Sequence, residues 1–194
     1  LVVGGGPSGL NAALQAGLSG ARTLLLEQSP NFGGRALVDC DQVDGHSTFL
    51  WVSKTVAAIK NLKNVNIKNR TTVSGIYDHG YALGYERVSD HIPNSGILRH
   101  RLWKIRAKSI ILASGSMERP LVFPNNDIPG VMLASAVRDY VQLYGVSPGD
   151  RTVIVTNNDD AYRTAITLNL AGLTVPAIID VRDTSNGPLA LKVR

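Results

Sequence analysis

A single cysteine, Cys40, among 194 residues excludes an internal disulfide, a paired-cysteine redox centre and a cysteine-rich zinc site, and fits a reducing, cytoplasmic setting. No apolar run approaches the roughly 18 residues a membrane span needs, so no membrane partner is expected. The basic residues behind the net charge of +5 are scattered, and only RHRLWKIRAK (Arg99 to Lys108) concentrates them. Without a second basic segment or stacking aromatics, that stretch reads as a strand with a solvated face and not as a nucleic-acid surface. Catalytic apparatus is equally sparse. There is no C-x-x-C and no serine in a nucleophile elbow. DCDQVDGH (Asp39 to His46) gathers three carboxylates and a histidine but has neither calcium-loop nor zinc spacing, so it reads as a polar loop. His46, His79, His91 and His100 have no partner at a suggestive interval. No catalytic residue and no metal ligand are therefore expected.

What is present is an ordinary globular composition, 44% hydrophobic and 18% charged, in a length that suits one domain or two incomplete ones. Both ends read as cut, because only Leu1 to Val3 precede the first glycine where a buried parallel strand usually runs about five or six residues. LVV, a glycine turn, PSGLNAALQAGLSG and ARTLLLE make a strand, helix, strand unit, with Pro7 in the first helical turn and Gly20 at the exit. The stretch from Gln28 to Thr48 is too polar and glycine-rich for regular structure over its whole length. Thr48 to Leu62 reads as a helix, NVNIKNRTTVSGIYD as a short strand and the start of a hairpin, residues 72–107 as a β-meander, and SIILASGS as a buried strand ending in a small-residue turn. Three prolines, Pro120, Pro124 and Pro129, mark an extended connector before an amphipathic helix closed by Gly145. PGDRTVIVTNNDDAYRTAITLNLAGLTVPAIIDVRD then repeats the opening layout. The expected fold class is α/β, a Rossmann-like FAD/NAD(P)-binding fold with a meander insertion and the start of a second nucleotide-binding-type domain. The expected boundaries are residues 1–118, a connector and helix at 119–148, and a partial second unit at 149–194.

Gly4, Gly6 and Gly9 satisfy G-x-G-x-x-G. The first permits the tight turn, the second lets backbone approach a pyrophosphate, and the third lets helix and strand pack closely. Amides at the helix start, around Pro7 and Ser8, then face the anion with the help of the helix dipole. Glu27, at the end of the second strand with Gln28 beside it, can accept hydrogen bonds from a ribose 2′-hydroxyl and repels a 2′-phosphate. A dinucleotide with an unphosphorylated adenosine ribose is expected. FGGRAL places Gly33 and Gly34 close to the diphosphate with Arg35 to neutralise it. Ala113, Ser114 and Gly115 are small enough for close backbone approach.

GGGPSGL, Glu27, the GGR, the meander and IILASGS together resemble the two-dinucleotide-binding-domain flavoproteins, of the glutathione-reductase and thioredoxin-reductase kind. The string from Glu118 to Arg163, ERP…DIPGVMLASAV…YGV.PG…NDDAYR, is more distinctive and is similar to the alpha subunits of heterotetrameric sarcosine oxidases, and more loosely to opine and proline dehydrogenase subunits. The resemblance runs over essentially the whole chain. It implies NAD in the first unit, with FAD as the alternative, and substrate oxidation at a flavin in a partner beta subunit. It also implies a backbone contact from Val73 to adenine and a place for Ser114 to Ser116 near the diphosphate. A folate-binding region follows the matching stretch in such subunits and is absent here.

One departure bears on function. The second unit carries VTNNDDAYR where a working nicotinamide site would carry glycines, and the Cβ atoms of Thr156, Asn157 and Asn158 hinder a pyrophosphate. That unit reads as structural, or as holding something other than a tightly bound dinucleotide. Three functions stay open at this point. The first is the dinucleotide-binding part of a sarcosine oxidase-like alpha subunit. The second is a stand-alone FAD-dependent NADH oxidoreductase, and the third is a noncatalytic nucleotide-binding scaffold.

Overall fold

A computed structural model describes residues 1–39, 42–94 and 96–193; of the DCDQVDGH segment, Cys40 and Asp41 lie outside the described residues. The chain divides into two units, Leu1–Ser116 and Met117–Arg194.

In the first unit, β1 (Val2–Val3), β2 (Thr23–Leu26), β5 (Val65–Lys68) and β9 (Ile111–Leu112) form a parallel sheet in the order β5-β2-β1-β9. Its register sets Val2 opposite Leu25 on one side and Ile111 on the other. Strand alternation sends successive side chains to opposite faces. Leu25 joins Val2, Leu10, Ala13, Trp51, Val52 and Ile59 beneath α1 (Pro7–Leu18) and α3 (Thr48–Lys60). Leu26 packs on the other face with Ala82 and Ile105, which come from a meander of β6 (Thr71–Tyr77), β7 (Tyr81–Arg87) and β8 (His100–Arg106). The result is three layers: helices, parallel sheet, antiparallel sheet.

The stretch read as irregular from Gln28 to Thr48 contains a one-turn helix, α2 (Ala36–Asp39), and a short antiparallel pair, β3 (Gln42–Val43) with β4 (His46–Ser47). Asp44 explains the local order, since its carboxylate accepts the Trp51 indole N–H at 3.0 Å. The reading of SIILASGS as a buried strand is corrected. β9 is two residues long, Ile111 and Leu112 are both exposed, and among the described residues β9 is an edge strand paired with β1 alone.

Glu86 anchors the meander, accepting from Trp103 Nε1 at 2.6 Å, Lys68 Nζ at 3.2 Å and Arg101 Nη1 at 3.2 Å. Burial alone would raise its pKa, but the Trp103 and Lys68 hydrogen bonds and the charges of Lys68 and Arg101 outweigh it and hold the carboxyl below the usual glutamate range. A depressed carboxylate contributes stability above its unfolded pKa of about 4.3, and that contribution is lost as pH falls through the folded value. Glu86→Gln should therefore lower the urea midpoint at pH 7 and flatten its decline in acid; equal slopes for variant and wild type would remove Glu86 from this role.

The second unit holds α4 (Ala134–Tyr144), β10 (Arg151–Thr156), α5 (Asp160–Leu170), β11 (Thr174–Asp180) and α6 (Pro188–Val193). β10 and β11 pair in parallel, with Thr156 opposite Asp180. Ile154, Ala161 and Ala165 form its core with Ala134, Val175, Ile178 and Val193 packed around them. α4 ends at Gly145, whose φ of 63° is left-handed, as its C-terminal position requires.

Candidate functional site: a dinucleotide cradle

Three strand ends meet where the chain order of the parallel sheet reverses: Gly4 after β1, Glu27 after β2 and Ala113 after β9. Ligands of open α/β sheets bind outside the carboxyl ends of the strands at such a switch point. The three motif glycines do different work. Gly4 has φ +101° and turns the chain directly against Ala113, so that a Cβ there would overlap the Ala113 carbonyl. Gly9 sits in the first turn of α1 with its Cα against the Gly4 carbonyl, and a Cβ would overlap that oxygen. Gly6 is the reverse case: a Cβ on it would meet nothing within 4 Å.

Gly6 is also the N-cap of α1, and no side chain caps that helix end. The donors of the first turn, which have no partner within a helix, therefore open onto the free space over Gly6 and favour an anion there. Pro7 takes the first helical position, where its missing N–H costs nothing, and Ser8 is exposed beside it. The Gly33–Gly34 segment forms one wall. Gly33 N–H donates to the Gly5 carbonyl at 2.8 Å, and a Cβ on Gly34, whose φ is +53°, would lie 3.0 Å from Gly6 Cα. Ala113, fixed by its N–H to the Val3 carbonyl at 2.7 Å, lies against Gly4 and Gly9 and leads to exposed Ser114, Gly115 and Ser116. The residue types thus fit a diphosphate: backbone donors around a volume that any side chain on Gly6 would fill.

Glu27 is 6% exposed, and both carboxylate oxygens are used. Gly5 N–H donates to Oε2 at 2.6 Å and Ser29 N–H to Oε1 at 2.7 Å. A carboxylate has about four acceptor positions, so capacity for a ribose hydroxyl remains. Gly5 is a residue the motif reading passed over. A Cβ on it would meet Phe32 Cδ1 at 2.6 Å and Glu27 Oε2 at 3.0 Å; the middle glycine of GGG is the signal, since only glycine lets Glu27 close onto that amide. Gln28 is exposed and its carbonyl accepts from Arg87 Nη2 at 2.9 Å. Val73 lies on β6, opposite Gly84 beside a register shift, and packs on the Leu26 cluster. Its strand is tied to the acid by Thr71 N–H donating to the Glu27 carbonyl at 2.8 Å. Arg35 pairs with Asp39, Nη2 to Oδ1 at 2.7 Å and Nε to Oδ2 at 3.0 Å.

The equivalent end of the second unit is built differently. Thr156 Oγ1 accepts from Asn158 N–H at 3.1 Å and Asn158 Oδ1 from Asp160 N–H at 2.9 Å, so polar side chains fill a turn that glycines leave bare before α1. Asp180, which ends its strand as Glu27 follows β2, accepts from Arg182 Nη2 at 2.7 Å and Tyr162 Oη at 3.0 Å. The Arg182 hydrogen bonds hold its carboxyl well below the usual range. Arg182 also reaches Asp159 Oδ1 at 2.8 Å. Among the described residues, no group of three or more His, Cys, Asp and Glu is placed to hold a metal ion, and no helix is long and apolar enough to cross a membrane.

Residues 1–81 match the family model of FAD dependent oxidoreductases. The sarcosine oxidase alpha subunit of Corynebacterium sp. (strain P-1) is 44% identical over 98% of this chain, and that of Rhizobium meliloti (strain 1021) is 44% identical over 94%. The chain spans about a fifth of their length, 20% and 19% respectively. Among solved structures, L-proline dehydrogenase from P. horikoshii superimposes with a TM-score of 0.72 at 26% identity, covering 96% of this chain and 36% of the other. The cradle of glycines and the acid at the end of β2 thus lie in the segment matched to FAD-dependent oxidoreductases, and along nearly its whole length the chain is similar to sarcosine oxidase alpha subunits.

Proposed function

We propose that the first unit binds the adenosine diphosphate half of a dinucleotide, as part of a sarcosine oxidase-like alpha subunit. The carrying observation is the free space over Gly6, beside Gly34 and the uncapped first turn of α1. The diphosphate lies over Gly6, the adenosine ribose reaches Glu27, and adenine lies toward β6 and the backbone of Val73. NAD is the occupant implied by the resemblance to sarcosine oxidase alpha subunits. FAD is the alternative, favoured by the family match over residues 1–81. A bound dinucleotide of either kind supplies hydride-transfer chemistry. The chain's own part is to grip and orient it.

In this reading the complex oxidatively demethylates sarcosine or a related N-methyl amino acid, in a folate-linked, peroxide-forming reaction at a flavin on a partner beta subunit, in the cytoplasm. The names of the relatives as subunits support an assembly. Mass spectrometry of the nucleotide released on denaturing the intact protein tests it. NAD release supports the reading. FAD release, together with NADH oxidation by this chain alone, would replace it with a stand-alone flavin reductase.

Glu27 gives a sharper test. Charge-assisted hydrogen bonds are worth about 1.5–3 kcal/mol, so Glu27→Ala should weaken ADP-ribose binding about tenfold or more. It should also narrow the preference over the 2′-phosphorylated ligand, as both dissociation constants would report. An unchanged preference would remove Glu27 from the ribose site.

A further inference from the structure

Arg35 is the side chain next to the glycine wall. Gly34 lies against Gly6, so Arg35 starts one residue from the free volume and its long side chain can reach an anion held there. The side chain is 39% exposed, yet its guanidinium is gripped by Asp39 through two hydrogen bonds, at 2.7 and 3.0 Å. Asp39 is the less exposed partner at 18% and stands one turn further along α2. A guanidinium engaged bidentately by a carboxylate presents its fork to that carboxylate and not to a phosphate.

We propose that Asp39 is an affinity-setting residue of the dinucleotide site: it competes with the ligand diphosphate for Arg35, and holds the site at a lower affinity than the glycine cradle and Arg35 would reach without it. The inference rests on the dinucleotide reading above and adds a residue that weakens binding where all the others strengthen it. Binding then requires exchange of one anionic partner of Arg35 for another, so the pair sets how readily the nucleotide leaves.

The test is calorimetric titration of the full-length protein with ADP-ribose and, separately, with adenosine. Asp39→Asn is expected to tighten ADP-ribose binding about fivefold at low salt, the size of a partly exposed ion pair, with the gain shrinking as salt is raised. Adenosine, which lacks the diphosphate, should be unaffected. In Arg35→Ala binding should weaken, and adding Asp39→Asn to that background should recover less than it gains in the wild type. A merely structural Asp39 would weaken binding on removal, never tighten it, so equal or weaker ADP-ribose binding by Asp39→Asn overturns the inference. So does an equal gain with adenosine, or Arg35→Ala binding as well as wild type. Failure of the wild-type protein to bind ADP-ribose at all would instead sink the dinucleotide reading itself.

Discussion

Gly6→Val should fold like the wild type and lose its dinucleotide. At most of the glycine-rich turn a side chain is impossible, but the position a Cβ would take on Gly6 is free of every atom within 4 Å, and its φ of −72° suits any residue. Valine is a poor N-cap, which costs about 1 kcal/mol; beyond that nothing in the protein resists it. The ligand does. Filling the volume that backbone leaves for a pyrophosphate should weaken binding at least about a hundredfold, roughly 2.7 kcal/mol. Gly9→Ala should behave in the opposite way. Its Cβ would overlap the Gly4 carbonyl, which is backbone and cannot swing aside, so α1 must separate from β1 and the unit loses stability before any ligand is added. The pair is informative because loss of binding alone proves little. Thermal melting without nucleotide and titration with ADP-ribose separate the two effects. Wild-type affinity in Gly6→Val would place the site elsewhere, and a wild-type melting temperature in Gly9→Ala would refute the packing of α1 on the turn.

The same two glycines show what the sequence reveals and what it hides. Spacing identified the motif, because close backbone contacts admit only one residue type and so leave a mark on the sequence. The parallel order β5-β2-β1-β9 follows the expected strand, helix, strand pattern, and the meander lies where turn residues interrupt β-rich runs. Side chains that satisfy one another leave no such mark. The Arg35–Asp39 pair is not told apart from a surface arginine, and the middle glycine of GGG marks a close contact at Gly5 without naming Glu27 as its partner. The edge position of β9 was hidden for a related reason: SIILASGS has the apolar composition of a central strand, and only the sheet order reveals that one side is unpaired. The second unit is intermediate. TNNDDA announced the loss of the glycines, but not that Asn158 would accept from the Asp160 amide or that Arg182 would join Asp180 to Asp159.

Arg138→Ala is expected to cost the second unit about 2–4 kcal/mol, from a cavity and from buried acceptors left without their donor. Arg138, in the AVRDYVQL stretch of α4, is only 1% exposed. Its Nη1 donates to the Asp160 carbonyl at 2.9 Å and to Thr164 Oγ1 at 3.0 Å, and its Nη2 to Asp160 Oδ2 at 2.6 Å. Thr164 Oγ1 in turn donates to the Ala134 carbonyl at 3.0 Å, so a polar chain joins α4 and α5 beside the packing of Ala134 on the unit's core. Alanine would leave a cavity as well as acceptors without a donor. Against a domain stability of roughly 5–15 kcal/mol, that loss should open α4 and α5 to hydrogen exchange at neutral pH. Arg138→Met separates the causes. It keeps most of the volume, and the Asp160 side chain, being 52% exposed, can turn to water, so only the buried carbonyl and hydroxyl acceptors are left wanting. Methionine should therefore cost clearly less than alanine in urea unfolding of the second unit. Asp160→Ala should cost more than methionine does, because it takes the Oδ2 acceptor away from a buried guanidinium. Equal stability in all three variants would mean that the α4–α5 contact does not depend on this network.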